Sequence, residues 1–330
     1  IALNNGIFNL KDNTLHDFTP ETVLTNRYPV TYNPAITEHA AVDSFIRSIT
    51  NNDNELSQVL YEIFGYTLYQ RNFLGKFFIL YGEGGNGKSV LLKMLKAFCG
   101  VENVSSVPLE ELGTTFVNTG LYNKVVNIGD DIDGSSIKLT GHLKKFTTGE
   151  RVNVQHKGQA PFEFENFAKL FFSTNRIPNI YDNSDGLNDR IVIIPLLQRF
   201  RGTSKDDQFL IDKITTEEAL SYMLNKAIEG LHRLKDNKKL TTCKVIDDYM
   251  KDFQRTNNPV NEFREECEEG GDYPITERDL FRNIYENYKQ WCKDCHRTPL
   301  NKSVFGKEFL RGGKYKADRQ RAGYFYVRTN

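Results

Sequence analysis

Apolar residues change their spacing several times along the chain, and each change marks an element. Across residues 1–37, short apolar runs alternate with turn residues (Gly6-Ile7-Phe8-Asn9-Leu10, Tyr28-Pro29-Val30, Asn33-Pro34), the pattern of small strands joined by turns. Over 38–70 the period becomes helical, with Phe45, Ile46 and Ile49, then Leu56, Val59, Leu60, Ile63 and Phe64, on one face. Apolar runs of strand length follow at Phe77–Tyr81, 125–128, 170–173 and Ile191–Pro195. They alternate with helical stretches, one of them at 205–235, which predicts a parallel α/β sheet. A polar segment at 236–244 reads as a linker. Beyond it, helices are expected at about 245–255, 276–295 and 302–310, and then a Gly-rich hairpin runs to the end. Three domains result: strands and a helical, collar-like part over 1–72, an α/β domain over 73–240, and a helical linker with a small domain over 241–330.

The chain has 330 residues, 39% hydrophobic and 26% charged, enough for an ordinary globular core in two or three domains. Lys+Arg and Asp+Glu balance at 43 each, which excludes a chain that is basic throughout. No apolar run approaches the roughly 18–20 residues of a membrane span, so no membrane partner is expected. Five cysteines, an odd and small number, fit reduced thiols and a cytoplasmic setting. Cys292-Lys293-Asp294-Cys295-His296 matches a haem-attachment string. It sits, however, inside the helical pattern Leu280, Ile284, Tyr288, Trp291, and a zinc site, which usually needs four ligands, would find only Cys267 as a plausible upstream partner. The chain begins at Ile1 and reads as a piece of a longer protein with something upstream.

The most specific string is Gly82-Glu83-Gly84-Gly85-Asn86-Gly87-Lys88-Ser89, which fits the phosphate-loop pattern G-x-x-x-x-G-K-[ST]. A strand leads in, and an amphipathic helix with Leu91, Leu92, Leu95 and Phe98 leads out. Glycines let successive N–H groups turn inward onto phosphates, and the helix N-terminus adds its positive dipole end. Residues Gly82 to Val90 thus form a cradle for ATP, with Lys88 on the β/γ-phosphates and Ser89 on Mg²⁺.

Such a loop needs an acid to hold the metal and polarise water. The apolar run at 125–128 leads through Gly129 to Asp130-Asp131; Asp130 is assigned to Mg²⁺ and Asp131 to water, although the roles could be exchanged. The run Leu170-Phe171-Phe172-Ser173-Thr174 ends in Asn175, an amide suited to orienting the lytic water. Asp189-Arg190 precedes the last strand, and Arg190 is a candidate finger reaching a neighbouring subunit's site.

In this order and compactness, the four motifs resemble the superfamily 3 helicases, specifically the poxvirus-type and phage/plasmid primase–helicase family. Leu143-Lys144-Lys145-Phe146-Thr147-Thr148-Gly149-Glu150 and Pro161-Phe162-Glu163-Phe164 are similar to its presensor region, and the opening 5–34 is similar to the segment before its motor. Two positions depart from the family: Asp189-Arg190 stands where paired arginines are usual, and Asp-Asp where relatives often carry Glu. The resemblance implies an AAA+-like P-loop motor, preceded by a small helical domain and assembled as a hexamer. It also implies 3′–5′ movement along single-stranded DNA and a primase upstream. A pore hairpin, here 151–164, would present His156, Lys157 and Gly158 to DNA.

From Asn301 to Asn330 there are eight Lys or Arg against two acids. With the expected helices and hairpin, this tail resembles the family's C-terminal winged helix, with Lys302, Lys307, Lys314, Lys316, Arg319 and Arg321 facing duplex DNA. The expected activity is an ATP-dependent DNA helicase of a virus, phage or mobile element. An origin-binding initiator that does not unwind processively, and a P-loop kinase, are the rivals.

Overall fold

A computed structural model describes residues 1–329 except Thr115, 130–131, 133–139, 177–188, Lys205, Gly271, Pro274, Glu277, Gly312, Arg321 and Ala322. In chain order its main elements are strands β1 (Ala2–Leu3), β2 (Gly6–Asn9) and β3 (Thr14–His16), helices α1 (Ala40–Ile49) and α2 (Asn54–Thr67), β4 (Phe77–Tyr81), α3 (Lys88–Cys99), β5 (Val104–Ser105) and β6 (Val126–Gly129). Then come α4 (Thr140–Thr148), β7 (Arg151–Val154), β8 (Phe162–Glu165), β9 (Lys169–Thr174), β10 (Ile191–Pro195), α5 (Leu210–Ile214), α6 (Glu217–Asn237) and α7 (Lys244–Asn257). The last are α8 (Pro259–Glu268), β11 (Arg278–Leu280), α9 (Phe281–Asp294), α10 (Lys302–Leu310), β12 (Tyr315–Gln320) and β13 (Gly323–Arg328).

Contacts divide the chain into two compact units, Ile1–Met250 and Lys251–Asn330. At the centre of the first lies a five-stranded sheet in the order β10-β4-β9-β6-β5, with every neighbouring pair parallel. β4 and β9 are nearly all buried because both faces are covered, which is why they read as continuous apolar runs. The N-terminal segment shares this core: Val42, Phe45, Leu60 and Phe64 of α1 and α2 belong to one cluster with Phe78, Leu95, Phe171 and Leu231. Glu62, fully buried on α2, ties that helix to α6 by a 3.2 Å ion pair with Arg233 and accepts from Thr241 N at 2.8 Å.

Several local expectations change. The helical stretch at 38–70 is two helices, because Asn51 and Asn52 take left-handed φ of 54° and 59° and Asp53 caps α2 by accepting from Leu56 N. Likewise 205–235 divides into α5 and α6, with Thr216 capping the second. The helix expected from 276 begins at Phe281, after the short strand β11. α8, which carries no dense apolar pattern, starts with Pro259 in its first turn, is capped by Asn258, and buries Val260, Phe263, Arg264 and Cys267, with only three of these apolar.

The second unit has its own aromatic core, in which Phe263, Tyr288, Trp291, Phe305, Phe309 and Tyr326 are buried together. Its sheet runs β11-β13-β12, antiparallel, with β12 and β13 forming the terminal hairpin. Gly306 on α10 allows close packing: a Cβ there would stand 2.7 Å from the Tyr326 hydroxyl, which donates to the Gly306 carbonyl. Cys99, Cys243, Cys267 and Cys292 are buried and unbridged. Burial, with Glu266 and Glu268 beside it, pushes the Cys267 thiol up to about 12. Among the described residues no helix is long and apolar enough to cross a membrane.

Candidate nucleotide site

Strands β4, β9 and β6 end on the same edge of the sheet, and the glycine loop fills the gap there between β4 and α3. Crevices at this edge are where open parallel sheets take ligands. Gly84, Gly85 and Gly87 have φ of 110°, 68° and 85°, a region where a side chain would be strained. Gly85 also has no room for one, since its Cβ would lie 2.7 Å from Arg201 Cβ. Asn86 is buried and braces the loop, accepting from Gly84 N at 2.5 Å and donating to the Gln198 carbonyl at 3.1 Å. A further hydrogen bond, Phe200 N to the Gly85 carbonyl at 2.8 Å, ties the loop to the segment leaving β10.

Lys88, in the first turn of α3, is almost fully buried. Its ammonium donates to the Gly82 carbonyl and, at 2.9 Å, to Asn175 Oδ1. Asn175 is held just past the end of β9 by a tight turn in which the buried Thr174 hydroxyl accepts from Arg176 N at 3.1 Å and donates to the Arg176 carbonyl. Gly82 N donates to the Thr174 carbonyl at 3.2 Å, so loop and strand end are joined by backbone as well. Two sequence-predicted residues, 87 positions apart, thus meet.

A cleft of about 800 Å³ opens here, within the usual size range of small-molecule sites. Gly84, Gly85, Asn86, Gly87, Lys88, Ser89, Val90 and Asn175 line one side, and Ser89 is exposed to it. Gly82 serves through its carbonyl, while Glu83 is exposed outside the lining. The remaining lining was not foreseen: Ala41, Ser44, Phe45 and Ser48 from α1, and Phe200, Arg201, Asp206, Asp207, Leu210 and Lys213 after β10. No short string marks these residues, because they reach the loop only through tertiary packing. Lys213 pairs with Asp207 at 2.6 Å, and that hydrogen bond, ahead of Phe209 N, lowers the Asp207 carboxyl.

Asp130 and Asp131 lie outside the described residues. On either side of them, Gly129 is in register with Phe172, and Ile132 N donates to the Ser173 carbonyl at 2.8 Å. Arg190 is not in the cleft. It precedes Ile191, which pairs with Phe77 at the opposite end of the ladder. Next to it Lys76 donates to the Asp189 carbonyl; burial lowers the Lys76 pKa, Asp189 opposes the shift and Arg190 adds to it.

β7 and β8 form a hairpin of their own, with Val152, Val154 and Phe164 buried and Arg151 paired to Glu165 at 3.1 Å across it. His156, Lys157 and Gly158 form its exposed tip; Gly158 has φ 79°, and the His156 ring stacks 5.5 Å from that of Phe162. In the second unit Lys302 and Lys307 are exposed on α10, and Lys316 and Arg319 on β12. Lys314 is engaged by Glu268 at 2.7 Å, and Arg321 lies outside the described residues.

Comparisons with known proteins agree with one another. A family model described as D5 N terminal like matches residues 1–51, and a family of unknown function (DUF5906) matches residues 80–190. The chain is 24% identical over 210 residues to "Putative helicase L207/L206" of Acanthamoeba polyphaga mimivirus, covering 61% of this chain and 22% of that protein. It is 26% identical over 235 residues to "Putative helicase 184R" of Invertebrate iridescent virus 6, covering 66% and 23%. The chain therefore spans less than a quarter of the length of these relatives. Among solved structures, the apo C-terminal region of NrS-1 superposes with a TM-score of 0.57 at 14% identity, covering 91% of this chain and 79% of that one. A second apo structure of that region (305–718) gives 0.54 at 15% identity, covering 90% and 78%. At such identity the likeness is one of fold. The D5-like opening, the viral relatives and the NrS-1 fold are in accord, and the chain is similar to phage and viral helicases of the primase–helicase type.

Proposed function

We propose that this chain is the ATP-hydrolysing motor segment of a ring-forming DNA helicase that replicates a virus, phage or mobile element. The observation that carries the reading is the Lys88 ammonium, held between the phosphate-loop carbonyl of Gly82 and the strand-end amide of Asn175. A triphosphate entering the cleft would draw Lys88 from its carbonyl partner and meet the loop N–H groups at the start of α3. Asn175 would then orient the attacking water. Ser89, exposed in the cleft, fits a Mg²⁺ ligand, and Asp130 and Asp131 are proposed to complete the metal site and polarise water. When bound, the metal would neutralise charge developing on the phosphates.

The parallel order β10-β4-β9-β6-β5, with a strand between the phosphate-loop strand and the acid-bearing strand, supports an AAA+-like motor. Arg190, at the far end of the sheet, is proposed to act on a neighbour's nucleotide in a hexamer. The hairpin tip at His156–Gly158 is proposed to grip single-stranded DNA, moving 3′ to 5′. In the second unit the order α8-β11-α9-α10-β12-β13 supports a winged helix, with Lys302, Lys307, Lys316 and Arg319 toward duplex DNA. Boundaries near 72 and 240 are proposed for the functional parts, with a primase domain or partner upstream. The test is ATPase with and without DNA, together with unwinding of a forked duplex and the mass of the assembly. DNA-stimulated turnover with strand displacement by a ring is expected; turnover indifferent to DNA would overturn the reading.

A further inference from the structure

We propose that Arg201, in the turn after β10, binds the phosphates of the nucleotide held by its own subunit, adding a second cation to that of Lys88. The inference rests on residues 82–89 being a phosphate loop, and it names a residue that no motif of the sequence marks. Among the described residues three cations line the cleft, Lys88, Arg201 and Lys213. Lys88 donates to the Gly82 carbonyl and to Asn175, and Lys213 is taken up by Asp207 at 2.6 Å. Arg201 is exposed and makes no side-chain hydrogen bond, ion pair or ring contact among the described residues, so its guanidinium is open to an incoming anion.

The backbone holds that side chain against the loop. Phe200 N donates to the Gly85 carbonyl at 2.8 Å, and a Cβ on Gly85 would stand 2.7 Å from Arg201 Cβ and 3.4 Å from Arg201 N. Directly afterwards the chain turns: Gly202 has φ 78°, Thr203 N donates to the Phe200 carbonyl at 2.9 Å, and Gly202 N donates to Asp206 Oδ2 at 2.9 Å. Two aspartates follow in the same lining, and neither neutralises Arg201. Asp206 is engaged by Gly202 N, and Asp207 by Lys213 and Phe209 N. A guanidinium left unpaired there presents a planar fork of donors that fits phosphate oxygens two at a time. Arg190 lies at the far end of the sheet from its own loop, whereas Arg201 starts in contact with it.

Two variants test this on the full chain. Arg201→Met keeps an unbranched stem against Gly85 and removes the charge; Arg201→Lys keeps the charge and loses the fork. Binding of ATP and of inorganic tripolyphosphate, each with magnesium, is measured by calorimetry. Arg201→Met is expected to weaken both ligands alike, on the order of tenfold, the scale of one charged hydrogen bond, and Arg201→Lys to weaken them less. Parent affinity in both variants overturns the inference, as does a loss confined to ATP, which would put Arg201 at the base or sugar. Losses in Arg201→Lys as large as in Arg201→Met overturn it too, since the charge would then not be what binds. A parent chain that binds neither ligand overturns the phosphate-loop reading, and the role of Arg201 with it.

Discussion

Lys88 Nζ lies 2.9 Å from Asn175 Oδ1, bridging the phosphate loop and the end of the neighbouring strand β9. The contact puts the cation that would stabilise transferring phosphate and the amide that would orient water within one hydrogen bond. Their losses should differ in kind. Lys88→Ala is expected to lower turnover by on the order of 10²–10³-fold and to weaken nucleotide binding, because it removes charge from ground and transition states alike. Asn175→Ala is expected to keep nucleotide affinity while kcat falls by about 10²-fold. Steady-state ATPase beside equilibrium binding checks both, and undiminished kcat in Asn175→Ala would remove that residue from the site.

Arg190 stands one residue before the Ile191–Phe77 register pair, whereas the phosphate loop follows Tyr81 at the other end of β4. Four residues of strand separate the two levels by about 13 Å. Arg190 is therefore remote from its own subunit's loop, as the proposed action on a neighbour requires. Arg190→Ala is expected to lower ATPase by roughly 10³-fold or more. Mixed with Lys88→Ala, which keeps its own Arg190, it should regain activity at interfaces that join an intact loop to an intact arginine; two inactive variants that stay inactive when mixed would refute action in trans.

At the hairpin tip Lys157 is exposed, and Gly158 turns the chain beside it. Lys157→Ala removes a cation that does not line the cleft, so basal ATPase should be unchanged. Unwinding should weaken, and the log–log salt slope of single-strand binding should shrink by about 0.7, one phosphate contact. An unaltered slope would take Lys157 off the DNA.

Lys169 is buried at the start of β9 with no carboxylate partner among the described residues. Its ammonium instead donates to the carbonyls of Tyr69, Arg71 and Phe167 and to Asn72 Oδ1, at 2.7–3.2 Å, and lies 4.5 Å from the Tyr66 ring centroid. It pins the turn after α2 to the sheet. Lys169→Met should destabilise by about 3 kcal/mol or more, since several buried acceptors lose their donor. Burial lowers the Lys169 pKa well below its ordinary 10.5. Between the lowered folded value and 10.5 the unfolded chain holds more protons at this site, so its contribution to stability rises with pH. Urea denaturation across alkaline pH should show the parent gaining on Lys169→Met; a constant gap would contradict the depressed pKa.

What the sequence reveals depends on how local the cause is. β4, β10 and the Leu170–Phe172 centre of β9 are legible because strands buried on both faces read as near-continuous apolar runs, and the glycine loop because its φ values disfavour other residues. β5, two residues long, carries no periodicity to read. Lys88 and Asn175 are each visible as parts of motifs, but their contact depends on β9 pairing with β4, which no local pattern dictates. The α1 wall of the cleft is less legible still: Ala41 and Phe45 look like ordinary positions of an amphipathic helix until Gly87 is packed against it.

Charge in the C-terminal unit is not all available to a ligand, and this sets up a comparison between neighbours. Lys314 is held by Glu268 at 2.7 Å, and Arg278 of β11 pairs with Asp318 of β12 at 3.0 Å across the intervening β13. Lys316 is exposed on β12 and forms no ion pair among the described residues. A phosphate approaching Lys314 must displace a carboxylate, whereas Lys316 exchanges only water and counterions. Lys316→Ala should therefore lower duplex affinity and reduce the salt slope by about 0.9, and Lys314→Ala should change both less. The measurement is duplex binding by the full chain over a salt series. Equal slopes for the parent and both variants would remove this hairpin from the DNA surface, and a larger effect of Lys314→Ala would mean that Glu268 releases it on binding.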